Sequence, residues 1–308
     1  RRISIGGTRK SGNAASAMVA NLQRIRRLRE AIIASRSKIV ISFVGTTNVL
    51  TILATHGIHV NVVVSERNDP LRQSLGTLWS FLRHHTYKLA NLITANSQHT
   101  VHQLSVQFPG KKISWVPNPI RISAHERKLE LGRPYIVAAG RLHKQKGFDI
   151  LLRAFAQVHE FHPLLKLLIL GEGDDRAELE SLVHSLQIGS AVDLVGFVKD
   201  PFLYYRGAVF LAHPARYEGL PNVVLEAMSV GVPVVVTDSQ PGILDFVKHG
   251  ATGLVVPSES PASLAGAMRC LCDDESLRAL LGRAGREAIR PCLPEQAIKT
   301  WDNAIGNI

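Results

Sequence analysis

The sequence predicts an α/β protein of two parallel, doubly wound sheets, and three observations carry that prediction. Short β-branched runs alternate with helical stretches along most of the chain, the pattern of strands buried on both faces and joined by crossover helices. A polar, charged stretch, 121–133, interrupts the alternation and reads as a linker. The 308 residues suffice for two domains of ordinary size. The expected divisions are therefore a first domain over 1–120, the linker 121–133 and a second domain from 134 to 293.

The first helix is expected over 13–34, where Met18, Leu22, Ile25, Leu28 and Ile32 recur at three- and four-residue steps and mark a core face. Arg24, Arg26, Arg27 and Arg29 surround its outer side. The runs at 38–45 and 59–66 read as strands, with a helix near 47–57 between them. The second run ends in a polar cluster, Ser65, Glu66, Arg67, Asn68, Asp69 and Pro70. A helix over 71–90 follows, whose Trp79, Phe81 and Leu82 fit ordinary packing better than an acceptor-facing or membrane-facing surface. A strand over 91–98 ends in Asn96 and Ser97, and a helix begins at about 98. The strand over 113–120 is stopped by Pro117 and Pro119.

Strands are expected in the second half at 135–140, 165–170, 192–196, 208–213, 233–237 and 253–256, with helices between them. From Pro261 onward the pattern is helical. The segment GEGDDRAELE places glycines at a strand end and acids in a first helical turn; a packing role and a ligand loop are equally open there.

Composition is that of a globular protein, 45% hydrophobic and 20% charged, and no apolar run reaches the ~18–20 residues of a membrane span. Three cysteines, Cys270, Cys272 and Cys292, make no disulfide framework and point to a reducing cytoplasm. Two of them stand two apart on a helix, facing different ways, so no zinc site is expected. Of the net charge of +11, nearly all lies in residues 1–38, where ten Lys or Arg meet one acid, Glu30. That segment is either a solvated helix face or a contact to an anionic membrane surface. Nucleic acid is not an expected partner: the basic segment is local, and neither zinc-finger spacing nor an RNA-binding aromatic motif occurs.

The densest chemical signal is EGLPNVVLE, Glu218–Glu226. Pro221 suits the first helical position. A helix opening there, through Asn222 and Val223, turns its free N–H groups and positive dipole end toward Gly219 and Leu220, a ready site for phosphate. Glu218 lies just before the helix and Glu226 more than a turn inside it, so two carboxylates flank the anion. Upstream, GRLHKQKG sets Arg141 and Lys146 beside Gly140 and Gly147, directly after the apolar run 135–139. Cations therefore stand at the carboxyl end of a buried strand, where open α/β sheets bind ligands. Fixed positive charge for a diphosphate and carboxylates for hydroxyls together suggest a sugar nucleotide.

The pattern G-R-x4-K-G, followed by two glutamates with seven residues between them, resembles the retaining glycosyltransferases of family four. The order of elements matches over roughly 36–260. The resemblance implies the GT-B fold, two Rossmann-like domains facing a cleft, with the last segment, 294–308, crossing back to the first. It implies transfer of a hexose or N-acetylhexosamine from a nucleoside-diphosphate sugar, with UDP the expected carrier, to a glycan or lipid-linked sugar. By the same resemblance Glu226 contacts the ribose, Glu218 the donor sugar, and Phe197, Val198 and Lys199 the base. The loop 238–242 lies by the donor sugar, and Glu66 is a candidate contact to sugar or acceptor. Retention is expected through front-side attack, with no protein base. No Asp-x-Asp occurs in the chain, so no metal is expected to be required; Arg141 and Lys146 would supply the charge.

The cluster SERN replaces a His common near that position and resembles a subgroup building bacterial surface polysaccharides and lipid-linked oligosaccharides. Ala215 stands where related chains often have Ser. A cytoplasmic enzyme, peripheral on the inner membrane, is the expected setting. There is no leading Met and no opening glycine-rich strand, so an incomplete first domain is also expected. A phosphorylase, a sugar-nucleotide epimerase and a donor-binding chain without transfer activity are the alternatives.

Overall fold

The computed structural model describes residues 14–67, 76–123, 125–239, 241–306 and 308. Four of the ten basic residues of 1–38 (Arg1, Arg2, Arg9 and Lys10) lie outside the described residues, as do Asn68, Asp69 and Pro70, positions 71–75 of the expected third helix and position 240 of the loop 238–242. The chain forms two compact units, Arg1–Val116 with Thr300–Ile308, and Pro117–Lys299.

The first unit runs α1 (Ala14–Ser35), β1 (Ile39–Phe43), α2 (Gly45–Thr55), β2 (Asn61–Glu66), α3 (Thr77–Thr86), β3 (Leu92–Ala95), α4 (Gln98–Gln107) and β4 (Ile113–Trp115). The four strands are parallel and lie in the order β1-β2-β3-β4. Alternate residues of β2 face opposite ways, as strand geometry requires. Val62 and Val64 join Val49, Ile52, Ile93, Leu104 and Phe108 on one side, while Val63 joins Leu92, Val116 and Ala304 on the other. Burial on both faces is why this strand reads as an unbroken β-branched run.

Three expectations for this unit need correction. Phe81, expected to pack, is 60% exposed. The strand expected over 113–120 ends at Trp115; Val116 still donates to Ala95, but prolines 117 and 119 have no N–H to continue a ladder. On α1, Ile32 is buried, yet Met18 and Leu22 are 64% and 59% exposed and Ile25 and Leu28 only half-buried. The 22-residue helix is twice as long as the 11-residue α2 against which it packs, so the apolar period outruns the partner. Its arginines are also partly engaged. Arg29 donates to the carbonyls of Ala54 and His56 at the end of α2, Arg26 pairs with Glu30 at 3.0 Å, and Arg24 bonds Asn21. Arg29 thus closes the C-terminus of α2 rather than standing as a loose surface cation.

The second unit runs β5 (Tyr135–Ala139), α5 (Phe148–His159), β6 (Lys166–Leu170), α6 (Arg176–Ser185), β7 (Val192–Gly196), α7 (Phe202–Tyr205), β8 (Leu211–His213), α8 (Asn222–Ser229), β9 (Val234–Thr237), β10 (Leu254–Val256), α9 (Pro261–Asp273), α10 (Glu275–Ala288) and α11 (Pro294–Ile305). The division between the units falls within α11, between Lys299 and Thr300. Its six parallel strands lie in the order β10-β9-β8-β5-β6-β7. From β5 the chain winds outward through β6 and β7, then returns to the other side of β5 and winds outward again. The reversal lies between β5 and β8. Ile136, Ala138, Leu151, Phe155, Leu167 and Phe210 fill the core around these strands. In an open parallel sheet the carboxyl ends at such a reversal form a crevice, because the two following loops turn apart.

Candidate active site

Loops 140–147 and 214–221 leave the sheet on either side of that reversal. β5 is buried along its whole length and releases the chain at Gly140. The loop returns through a 3-10 turn, Lys144–Lys146, in which the Gln145 N–H donates to the His143 ring at 3.2 Å, and re-enters as α5 after Gly147. Gly147 has φ +67°, and any side chain there would overlap the carbonyl of Pro214. Only glycine lets the cation loop approach the second loop so closely. Gly171 and Gly173, left open between packing and ligand contact, meet the carbonyls of Gly140 and Leu142 in the same intimate way. Packing accounts for Gly173, whereas Gly171 is closely packed and also borders a pocket beside these loops.

The second loop is tied down by Arg216, which the sequence reading passed over. Its guanidinium holds Asp149 through two bonds of 2.8 and 2.9 Å, Glu259 at 2.6 Å and the Lys144 carbonyl at 2.7 Å. These partners hold the Asp149 carboxyl below the usual carboxylate range and push the guanidinium higher still. Thr237 and Ser239 both donate to the Ala215 carbonyl, at 2.6 and 2.8 Å. Ala215 itself is fully buried.

So fixed, the loop sets Glu218 against the Lys146 ammonium in a partly buried ion pair, and Gln145 donates to Glu218 at 3.3 Å and to the Tyr217 carbonyl at 2.9 Å. His213, at the end of β8, is wholly buried, and burial together with the Lys146 charge lowers its pKa to about 3. It stays neutral at physiological pH, so Lys146 is the cation of this group.

The helix after this loop begins one residue later than expected. Pro221, at φ −73° and ψ 107°, is the capping residue, and α8 starts at Asn222 with no side chain closing its end. Pro221 has no N–H to give, so the displacement leaves the first donors unchanged. Asn118, placed by the sequence only as a break between prolines, donates to the Asn222 side chain at 3.0 Å.

Beside these loops lies a pocket of about 350 Å³, lined by Gly140, Arg141, Phe197, Val198, Val223 and Glu226, with Gly171, Pro201 and Tyr205 in its wall. Residues chosen from three separate stretches are thereby gathered. Phe197 is 81% exposed at the mouth. Lys146, Lys199, Glu218, Gly219, Leu220, Pro221 and Asn222 do not line it; Lys199 is exposed, and Leu220 and Pro221 are buried in support of the loop. Two features of the pocket carry no sequence signal. The Tyr205 hydroxyl is buried in its wall with no hydrogen-bond partner among the described residues. Arg121 places its charge near Glu226.

Glu226 is buried, and burial raises its carboxyl above the usual carboxylate range despite Arg121. A carboxyl whose folded pKa is raised binds more protons folded than unfolded. Stability therefore falls as pH climbs from the unfolded value through the folded one. Glu226→Gln should raise the melting temperature at pH 7.5 and leave it unchanged near pH 3.5, where the parent carboxyl is protonated in both states. Scanning calorimetry at the two pH values checks this; a shift of equal size at both would remove the electrostatic cause.

In the first unit the described residues of that polar cluster, Ser65 and Glu66 at the end of β2 and Arg67 beyond it, bond within the unit. Thr94 donates to Ser65 at 2.8 Å, and Tyr87 to the buried Glu66 at 2.5 Å, with Arg83 at 4.0 Å. Burial raises the Glu66 carboxyl. Arg67 donates to the Val116 carbonyl at 3.0 Å and lies over the rings of Phe43 and Trp301. Glu66 is therefore hydrogen-bonded by Tyr87 inside its own unit.

The family described as "Glycosyl transferases group 1" matches residues 121–288, more than half of the chain. The chain belongs to the group 1 glycosyltransferases. The match takes in the pocket and both loops; it starts later than the resemblance drawn from sequence, at 121 rather than 36, and runs past 260. Among curated relatives of this group 1 chain is a Campylobacter jejuni N-acetylgalactosaminyltransferase named for a diphospho-undecaprenol-linked sugar, 29% identical over 248 residues that are 77% of this chain and 67% of the relative. The amylovoran biosynthesis glycosyltransferase AmsD of Erwinia amylovora is also 29% identical, covering 71% and 63%. The chain spans 56%, 67% and 69% of the lengths of three such relatives.

Among solved structures, HepE of Anabaena in complex with UDP matches with a TM-score of 0.83 at 16% identity, covering 94% of this chain and 84% of that one. Sucrose-phosphate synthase of Thermosynechococcus elongatus matches at 0.81 and 19%, covering 98% and 81%. These likenesses establish the fold, GT-B with Rossmann-like parallel sheets, as the sequence led one to expect.

Proposed function

We propose that this chain binds a UDP-sugar at the sheet reversal of its second unit and transfers the hexose or N-acetylhexosamine, with retention, to a glycan or lipid-linked sugar. The observation that carries the reading is the convergence of Arg141 and Glu226 in one pocket beside the Lys146–Glu218 pair. Departure of a nucleoside diphosphate builds negative charge on its phosphates. Lys146, Arg141 and the uncapped N-terminus of α8 supply fixed positive charge and N–H donors for it without reorganising. Glu226 accepts from ribose hydroxyls. Lys146 exchanges Glu218 for the incoming diphosphate, which frees the Glu218 carboxylate for the donor sugar's hydroxyls. UDP as carrier is supported by the ligand of HepE, and a lipid-linked acceptor by the name of the Campylobacter relative. Independence of a metal rests on those cations and on the lack of an Asp-x-Asp in the sequence.

Calorimetry with UDP and UDP-sugars tests the assignment. UDP affinity should be the same with and without EDTA. Arg141→Ala should weaken UDP by roughly 1.5–3 kcal/mol, the range for hydrogen bonds to charged groups. Glu226→Ala should weaken every UDP-linked ligand, whereas Glu218→Ala should weaken UDP-sugars much more than UDP. Equal effects of the two glutamates on UDP would overturn their division of labour, and a large loss in EDTA would overturn the metal-free reading.

A further inference from the structure

The elements that wall the donor pocket carry a second set of residues on another side. Arg206 follows Tyr205, and Ser229 ends the helix that bears Glu226, its hydroxyl donating to the Glu226 carbonyl at 2.6 Å. Arg206 and Ser229 line a separate pocket of about 770 Å³ in the same unit, together with Arg283 and Arg286 on α10 and Arg290 just beyond it. Two carboxylates, Glu126 and Glu287, also stand there. Glu287 is taken by Arg290 at 2.8 Å. Three arginines, Arg206, Arg283 and Arg286, are left facing one glutamate.

Arginines near the end of α10 offset the negative pole of that helix, and this suffices for Arg286. It does not account for Arg206, which lies on another element. The Arg206 Nη1 is buried and has no hydrogen-bond acceptor among the described residues. A guanidinium is charged at every accessible pH, and a buried N–H on it calls for an acceptor. Arg283 and Arg286, three residues apart, lie on one face of α10. A pocket of ligand size with surplus guanidinium has the donor set that recognises phosphate oxygens; the Ser229 proton is already given to the Glu226 carbonyl.

We propose that this pocket is a second anion site, shaped for a phosphate or diphosphate group and separate from the donor pocket. Its occupant is either the headgroup of an anionic or diphosphate-linked lipid or a soluble phosphorylated compound; the chemistry is shared.

Titration of inorganic pyrophosphate into the full chain, with the donor pocket first saturated by UDP, tests the proposal. The parent should still bind pyrophosphate saturably. Arg206→Gln, and separately the pair Arg283→Gln with Arg286→Gln, should each weaken that binding at least about tenfold while leaving UDP affinity unchanged. The α10 pair is exposed, so it keeps the test valid if Arg206→Gln melts the protein. Vesicles of phosphatidylglycerol that displace pyrophosphate assign the site to a lipid headgroup; failure to displace it assigns a soluble phosphate. No pyrophosphate binding beyond the donor pocket, or equal binding by parent and both variants, overturns the site.

Discussion

Replacing Lys146 with alanine should lower the rate of sugar transfer by 10²–10³-fold, the usual loss when one pre-placed group facing developing charge is removed. The effect has two parts. The ammonium proposed to meet the diphosphate disappears, and Glu218, shielded by it in the partly buried pair, would be left to repel the same phosphates. A second substitution separates them. Adding Glu218→Gln to Lys146→Ala should recover part of the donor affinity, since the repulsion goes, but little of the turnover, since the cation does not return. Steady-state kinetics alongside donor binding resolves the two terms. A Lys146→Ala enzyme within about threefold of the parent kcat would place the leaving phosphate elsewhere.

Gly147→Ala should destabilise the second unit by about 3 kcal/mol. Part is the strain of a side chain at positive φ, and the larger part is overlap with the Pro214 carbonyl, which belongs to the backbone and cannot swing aside. In a unit of this size that lowers the melting midpoint by roughly 6–12 °C. Gly250 is the internal control: its φ is +73°, but nothing lies within 4 Å of the position a Cβ would take. Gly250→Ala should therefore lose only the conformational part, about 1 kcal/mol. Similar shifts for the two variants would mean that the loops part easily and that their close approach is not enforced.

Strands such as β2 and β5 are legible in the sequence because burial on both faces leaves an uninterrupted apolar record. Arg141, Lys146, Glu218 and Glu226 stand out because cations after a strand and acids around a helix start are uncommon chemistry in local context. What escaped notice depends on contacts distant in sequence. Arg216 reads as one basic residue among many until Asp149 and Glu259 are brought to it. Tyr205 and Arg121 reach Glu226 through the fold, and no spacing rule links them. The error on α1 has the opposite origin. A helical period records which residues share a face, and it is silent on how far along the helix a partner extends, so Leu22 joins Ile32 on paper and not in the core.

The reversal between β5 and β8 also bears on how the unit comes into being. Lys146 and Glu218 are 72 residues apart, so the cation loop is synthesised well before the loop that supplies its carboxylate. Neither half is a binding site by itself. The pocket exists only once the chain has returned from β7 past β6 and β5 to set β8 on the far side of β5, a pairing of high contact order that carries its loop-closure entropy before any reward. Nucleotide has nothing to grip on a nascent or partly folded chain. On the proposed reading it would act as a clamp on the finished unit, holding shut the seam between the two windings of the sheet.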